Sequence, residues 1–301
     1  MVEDFLSIAD LTEDMVYALL DFADDLKRRQ QAGEPHRLLE GKSIALIFEK
    51  PSLRTRITFQ TGMFQLGGHS LILDMILGER ESVPDVARNL ERWVHGIVAR
   101  TFAHSHVAEL AKHASVPVIN ALTDLLHPCQ IMADAQALRE HKGGDFGSLK
   151  LAFVGDGNNV YQSWACFAQR VPINLTLVCP EGYEPDAGIV EAARREARGQ
   201  FVITHDLEEG VRDADAVYTD VWASMGQEEE AKERERAFAP YQVNARVMER
   251  AAPGAVFMHC LPAHRGSEVS DEVMDAPTSI VFDQAENRLH AQKAIMATLM
   301  A

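Results

Sequence analysis

The chain has 301 residues, 47% of them hydrophobic and 25% charged. At about 150 residues per domain that is enough for two domains with proper cores, which argues against wholesale disorder. Acidic residues outnumber basic ones 45 to 29 for a formal charge of −16; this disfavours nucleic acid or an anionic membrane as partner, since both need a positive surface, but not a small anion held by its pocket's local field.

The N-terminal stretch MVEDFLSIADLTEDM lacks the apolar stretch of a signal peptide, and no apolar run approaches the roughly 20 residues of a membrane span. Cys129, Cys166, Cys179 and Cys260 show no CxxC spacing and no disulfide-scaffold density, so the reducing cytoplasm is the expected compartment. Residues 12–29 read as a helix: Thr12 caps it, Glu13 and Asp14 follow, Val16, Leu19, Leu20, Ala23 and Leu26 recur at helical spacing, and Arg28 and Arg29 suit the dipole at its end. Short apolar runs then recur at Ser43–Phe48, Ser70–Leu73, Ile97–Ala99 and Val116–Asn120. A second series follows at Leu151–Val154, Leu175–Cys179, Phe201–Thr204, Ala216–Tyr218, Val256–Met258 and Ile280–Phe282. Helical patterns such as Val83–Trp93, Ile131–Glu140 and Ile189–Arg198 separate most of them. Continuous apolar strands alternating with helices predict an α/β chain of two domains, each a mostly parallel sheet covered by helices on both faces. The glycine-rich stretch 141–148 marks the expected boundary, giving domains 1–145 and 146–283, and the charged run Glu228–Arg236 reads as a solvated helix or a loop.

In open α/β sheets ligands sit beyond the carboxyl ends of strands, which makes the strand exits informative. The first, Phe48-Glu-Lys-Pro-Ser-Leu-Arg-Thr-Arg56, predicts a helix capped by Ser52 and starting near Arg54. Its free N–H groups, the hydroxyls of Ser52 and Thr55 and the guanidinium groups of Arg54 and Arg56 suit a phosphate; the plainer alternative is a capped helix with surface arginines. Arg100 stands directly behind the third run. His127 precedes a proline at a helix start with Gln130 one turn on, where both suit a carbonyl or merely cap and solvate a helix. Gly155-Asp-Gly-Asn-Asn159 has Val160 where a dinucleotide fingerprint needs its third glycine, so a small ligand held by Asn159 is the better reading. Asp220 heads Asp-Val-Trp-Ala-Ser-Met-Gly-Gln227, and Cys260 sits at a strand exit between His259 and Pro262. No His/Cys/Asp cluster has metal-ligand spacing, so neither a metal nor a cofactor is expected.

Taken in order, FEKPSLRTR, Arg100, HPCQ, GDGNN, DVWASMGQE, HCLPAHRG and AENR at 285–288 resemble the aspartate/ornithine carbamoyltransferase family over nearly the whole chain. DVWASMGQE and HCLP resemble its ornithine branch. The resemblance implies carbamoyl transfer from carbamoyl phosphate to the δ-amine of ornithine, giving citrulline and phosphate in arginine metabolism. It implies a first domain for carbamoyl phosphate, a second for the amino acid, a helix over 284–301 packing back on the first, and a homotrimer, or an assembly of trimers, with sites at subunit interfaces. By position, Ser52, Leu53 through its backbone, Arg54, Thr55 and Arg100 would hold the phosphate. Arg100, His127, Gln130, Cys260, the Leu261 carbonyl and Arg288 would hold the carbamoyl end. Asn159, Asp220, Ser224 and Met225 would grip ornithine's head group, and Cys260 would lie beside the reacting amine. Arg54, Arg100, His127, Cys260 and Arg288 are the expected catalytic residues.

Two positions depart from the family's pattern. Leu53 stands where threonine is usual, and Ile76 stands two residues before Gly78, where relatives carry a glutamine or histidine that reaches the phosphate from a neighbouring subunit. Arg80 and Ser82 are the local candidates to compensate. A carbamoyltransferase for another amine such as N-acetylornithine, or a weakly catalytic ligand-binding relative, are the alternatives.

Overall fold

The computed structural model describes residues 3–223 and 230–301. Its contacts divide the chain into two compact units, Met1–Gln136 with Glu286–Ala301, and Ala137–Ala285.

The first unit is built on four parallel strands, β1 (Ser43–Phe48), β2 (His69–Asp74), β3 (Ile97–Arg100) and β4 (Val118–Leu122), in the order β2-β1-β3-β4. Ile47, Ala45, Ile97, Ala99 and Val118 fill a core closed by Val83, Val86 and Leu90 of the helix Val83–Leu90 and by Val107 and Leu110 of the helix His104–His113. β1 is buried at five of six positions, whereas every residue of edge strand β2 is exposed or half-buried. Phe48 pairs with Asp74 on one side and Arg100 on the other, so the three strand exits are flush.

The second unit has five parallel strands, β5 (Lys150–Val154), β6 (Asn174–Val178), β7 (Phe201–Thr204), β8 (Ala216–Thr219) and β9 (Val256–His259), in the order β7-β6-β5-β8-β9. Its core adds aromatic stacking to aliphatic packing: Phe153 lies on Tyr218 at 5.1 Å between centroids, with Tyr161 edge-on to Phe153 at 5.5 Å. In each sheet the strand order reverses once, between β1 and β3 and between β5 and β8. A crevice opens at such a reversal because the flanking connections leave to opposite faces.

The N-terminal helix spans Glu13–Gln31 with Thr12 as its cap. The run at Val116 enters its strand two residues late, at Val118. The expected strand Ile280–Phe282 is not one: Val281 opens the 20-residue helix Val281–Met300. The pairing there ends one residue earlier, at a single bridge between Phe257 and Ser279, and three apolar residues cannot distinguish a strand from a helix start.

Candidate active site

The β1–β3 reversal gathers the first set of predicted residues. Ser52 caps the helix Leu53–Gln65, its Oγ accepting from the Thr55 N–H at 3.2 Å. Arg288 is 2% exposed and donates to Gln130 Oε1 at 2.6 Å and Thr55 Oγ1 at 3.0 Å, while Gln130 Nε2 donates to Asp134 Oδ1 at 2.8 Å. A buried guanidinium anchored this way stays charged and aimed. His127 is buried beside it, and its pKa is pushed well below the usual histidine value, first by burial and then by the positive charges of Arg288, Arg100 and Arg54. The imidazole is therefore neutral near pH 7 and can donate one hydrogen bond without adding charge. Arg54, Arg100 and Arg288, from three other segments, thus act electrostatically on His127.

Arg56 does not join them. It pairs with Asp74 at 2.6 Å and stacks over Phe48 at 5.3 Å, because two helical residue steps turn its side chain about 200° from that of Arg54. Only Arg54 of the two guanidinium groups stays with the cluster. Pro51, Ser52, Leu53 and Ile76 line a cavity of about 700 Å³; Leu53 is 74% exposed and Ile76 is 49% exposed. Ser82 is committed to capping the helix Val83–Leu90 through the Asp85 N–H and carboxylate. Glu49, which the sequence did not single out, is buried at the exit of β1. Its carboxylate accepts from the N–H groups of Leu77 at 2.9 Å and Phe102 at 2.6 Å and lies 3.2 Å from His106 Nδ1.

The β5–β8 reversal gathers the second set. Asp220 Oδ2 accepts from Asn158 Nδ2 at 2.7 Å, and its Oδ1 accepts from the Cys260 thiol at 3.0 Å and the Val221 N–H at 2.8 Å. The asparagine that holds Asp220 is Asn158, the cap of the helix Asn159–Ala168, whereas Asn159 opens that helix and accepts from Ser163 through its carbonyl. Gly157 has no room for a side chain: a Cβ there would sit 2.4 Å from Pro185 N, and its N–H donates to the Tyr183 carbonyl at 2.9 Å. Leu261 adopts φ +59°, a left-handed conformation rare for a branched residue, ahead of a cis peptide to Pro262. His259 Nδ1 accepts the Leu261 N–H at 2.8 Å, which places the ring hydrogen on Nε2, 3.4 Å from the fully buried Glu268 carboxylate.

The charged run is not wholly solvated. Arg234, on the helix Ala231–Phe238, is buried; it donates to Asp156 Oδ2 at 2.8 Å and the Trp222 carbonyl at 3.0 Å and lies over the Tyr183 ring at 5.1 Å. Burial raises the Asp156 pKa and Arg234 opposes that rise. Ser224 and Met225 lie outside the described residues.

Residues 3–140 match the carbamoyl-P binding domain of the aspartate/ornithine carbamoyltransferase family, and residues 147–299 match its Asp/Orn binding domain. The chain belongs to the aspartate/ornithine carbamoyltransferase family. An ornithine carbamoyltransferase of Thermococcus kodakarensis is 52% identical, with 99% of this chain and 96% of that protein covered. The solved ornithine carbamoyltransferase from Pyrococcus furiosus is 49% identical with a TM-score of 0.96, over 99% of this chain and 97% of that one. The Thermus thermophilus structure is 45% identical with a TM-score of 0.91 over the whole of both chains. The two parallel-sheet α/β units expected for this carbamoyltransferase from alternating apolar runs and helices are those observed, and the likeness to the solved structures agrees. No helix among the described residues is long and apolar enough to cross a membrane.

Proposed function

We propose that this chain transfers the carbamoyl group of carbamoyl phosphate to the δ-amine of L-ornithine, giving L-citrulline and phosphate. The observation that carries the reading is the buried Arg288 held by Gln130 and Thr55 beside a neutral His127 in the field of Arg54 and Arg100. Carbamoyl phosphate carries charge at one end and a polarisable carbonyl at the other. Ser52, the Leu53 backbone, Arg54, Thr55 and Arg100 take the phosphate at the N-terminus of the helix Leu53–Gln65. Arg100, His127, Gln130, the Leu261 carbonyl and Arg288 take the carbamoyl group.

The amine lone pair attacks the carbamoyl carbon, the carbonyl oxygen gathers negative charge, and the tetrahedral intermediate collapses as the bond to the phosphate oxygen breaks. The amine's proton leaves with solvent or phosphate. Preorganised donors at such an oxyanion are worth about 3–4 kcal/mol each, and a neutral imidazole flanked by guanidinium groups supplies them. The nucleophile must be neutral, which costs roughly 4.6 kcal/mol at pH 7 for an amine of pKa ~10.4. Asp220 and Cys260 are assigned to that step. Asn158, through its hydrogen bond, orients Asp220; Asn159, Asp220, Ser224 and Met225 are assigned to ornithine's head group. Ornithine's α-ammonium suits the Asp220 carboxylate, which favours an amino acid over a bare diamine.

A homotrimer accords with the reading. Ile57 and Phe64 on the helix Leu53–Gln65, Leu71 on edge strand β2 and Ile76 are all exposed, an apolar surface of the kind subunits cover. The cytoplasm is the proposed compartment.

Citrulline formation from carbamoyl phosphate is the test, with ornithine, aspartate, N-acetylornithine and putrescine run in parallel. Turnover with ornithine alone is expected. Turnover only with another amine overturns the substrate, and binding of carbamoyl phosphate without turnover of any amine overturns the reaction.

A further inference from the structure

A mixed-donor cluster lies outside every residue assigned to the reaction. β6 and β7 pair in register with Val178 opposite Thr204, so the next residues, Cys179 and His205, leave the sheet side by side; the Cys179 N–H donates to the Thr204 carbonyl at 3.2 Å. The turn that follows Cys179 brings Glu184 back, its Oε2 accepting from the Gly182 N–H at 3.0 Å. The Cys179 Sγ, a carboxylate oxygen of Glu184 and a ring nitrogen of His205 lie within 4.8 Å of one another. The chain scatters these three between residues 179 and 205, which hides them from any reading of spacing.

The orientation of the imidazole is the telling detail. His205 Nδ1 lies 2.8 Å from the Cys179 carbonyl, which can only accept, so Nδ1 carries the hydrogen. The lone pair is left on Nε2, the nitrogen 3.5 Å from Glu184 Oε1. A metal-binding histidine characteristically donates its second ring N–H to a backbone carbonyl in this way, fixing tautomer and aim. The Tyr241 hydroxyl also donates to the His205 carbonyl at 2.9 Å, holding the backbone from the other side.

We propose that Cys179, Glu184 and His205 form a site for a zinc-class divalent cation. The donor set decides the class, since magnesium and calcium require oxygen ligands, while one thiolate, one imidazole and one carboxylate suit zinc with a fourth position open to water. Bond lengths of about 2.0–2.3 Å in a tetrahedron put donor atoms about 3.5 Å apart, the separation His205 Nε2 and Glu184 Oε1 already have, so on binding the pair closes on the Cys179 Sγ by no more than about 1 Å. The Glu184 and His205 side chains, 41% and 42% exposed, supply that movement and an entry path, against the buried, fixed Cys179. Binding displaces the thiol proton to solvent. The ion braces the turn whose Tyr183 carbonyl accepts the Gly157 N–H.

The test is titration of the chelator-treated full chain with Co²⁺ in place of zinc, read by thiolate-to-cobalt absorption in the near ultraviolet and by bound ion per chain. Asp220, His259 and Cys260 also bring donor atoms within 4.8 Å of one another, so Cys260→Ser is run beside Cys179→Ser and the surface variant His205→Gln. One ion equivalent and its thiolate band are expected to vanish in Cys179→Ser and to weaken at least tenfold in His205→Gln, with both retained in Cys260→Ser. Should Cys179→Ser fail to fold, Glu184→Gln joins His205→Gln as the reporter. No thiolate band in the parent chain, or a band lost only in Cys260→Ser, overturns the site.

Discussion

The carboxamide of Asn158 is used at both ends: Oδ1 accepts the N–H groups of Val160 and Tyr161 at 3.0 and 3.2 Å, and Nδ2 donates to Asp220 at 2.7 Å. Serine keeps a helix-capping acceptor but lacks the donor. A hydrogen bond to a charged group is worth about 1.5–3 kcal/mol, and about 1.4 kcal/mol is a factor of ten. Asn158→Ser should therefore raise the KM for ornithine by roughly ten- to a hundredfold and leave the KM for carbamoyl phosphate unchanged. Steady-state kinetics in both substrates checks it; an equal loss in both would show that only the helix cap mattered. Ile76 poses the opposite case, an apolar side chain in a cavity shared with Ser52 and Leu53 at the position where the family resemblance implies a phosphate donor. Ile76→Gln should tighten carbamoyl phosphate binding by about tenfold on the same magnitude. An unchanged KM for that substrate would mean that position 76 does not reach the phosphate.

At the scale of elements, one carboxylate ties three strand exits of the first sheet. Glu49 leaves β1, Leu77 lies in the segment after β2 and Phe102 follows β3, and both N–H groups converge on the Glu49 carboxylate. Glutamine can offer one acceptor oxygen, so one of the two N–H groups then faces an NH₂ group, at about 1–3 kcal/mol where it is the buried Leu77 N–H. Glu49→Gln should lower the melting temperature by roughly 5 °C and raise the KM for carbamoyl phosphate, since these exits carry Ser52, Ile76 and Arg100. Thermal unfolding and kinetics read the two effects; a lower melting temperature with unchanged KM would confine Glu49 to stability. Nine strands were legible in the sequence as short apolar runs, seven of them continuous because parallel strands buried on both faces are apolar throughout, while the edge strands β2 and β7 are only partly buried. Ile280–Phe282 looked the same and opened a helix, since what decides is the neighbour it packs on. Similar logic separates Asn158 from Asn159 and Arg54 from Arg56: like residues one or two positions apart diverge in direction only once the helix start is fixed, by Asn158 in one case and Ser52 in the other. Glu49 and Arg234 carried no signal of their role, because the partners that matter to it, the Leu77 and Phe102 N–H groups for Glu49 and Asp156 for Arg234, are remote in sequence.

Over the whole molecule, pH acts through groups whose charged forms burial disfavours. Burial and neighbouring cations hold His127 far below the usual histidine value, and burial with Lys293, Lys27 and His36 brings His290 to about 3. Both depress stability as pH falls below about 6.5, because there the unfolded chain takes up protons that the folded chain refuses. Lys293 acts at the other end of the scale. It is fully buried, and its ammonium faces three neutral acceptors, Gln30 Oε1 at 2.8 Å, Gln65 Oε1 at 3.0 Å and His36 Nε2 at 3.0 Å. His36 Nδ1 lies 2.9 Å from the Glu34 carbonyl, which keeps Nε2 as the acceptor. Burial lowers the Lys293 pKa to about 8 in the folded chain, against about 10.4 when unfolded. Between those values the unfolded chain binds the proton and the folded chain does not, so this lysine makes stability rise with pH, and the contribution is spent once the unfolded lysine also loses its proton. From pH 7.5 to 9.5 the gain is about 2 kcal/mol at 1.36 kcal/mol per unit. Lys293→Met keeps the apolar stem and removes the titration. Urea unfolding of parent and variant at the two pH values should give a stability difference that moves by about 2 kcal/mol in the parent's favour at the higher pH. A difference that stays constant would mean that Lys293 titrates alike in the folded and unfolded chain.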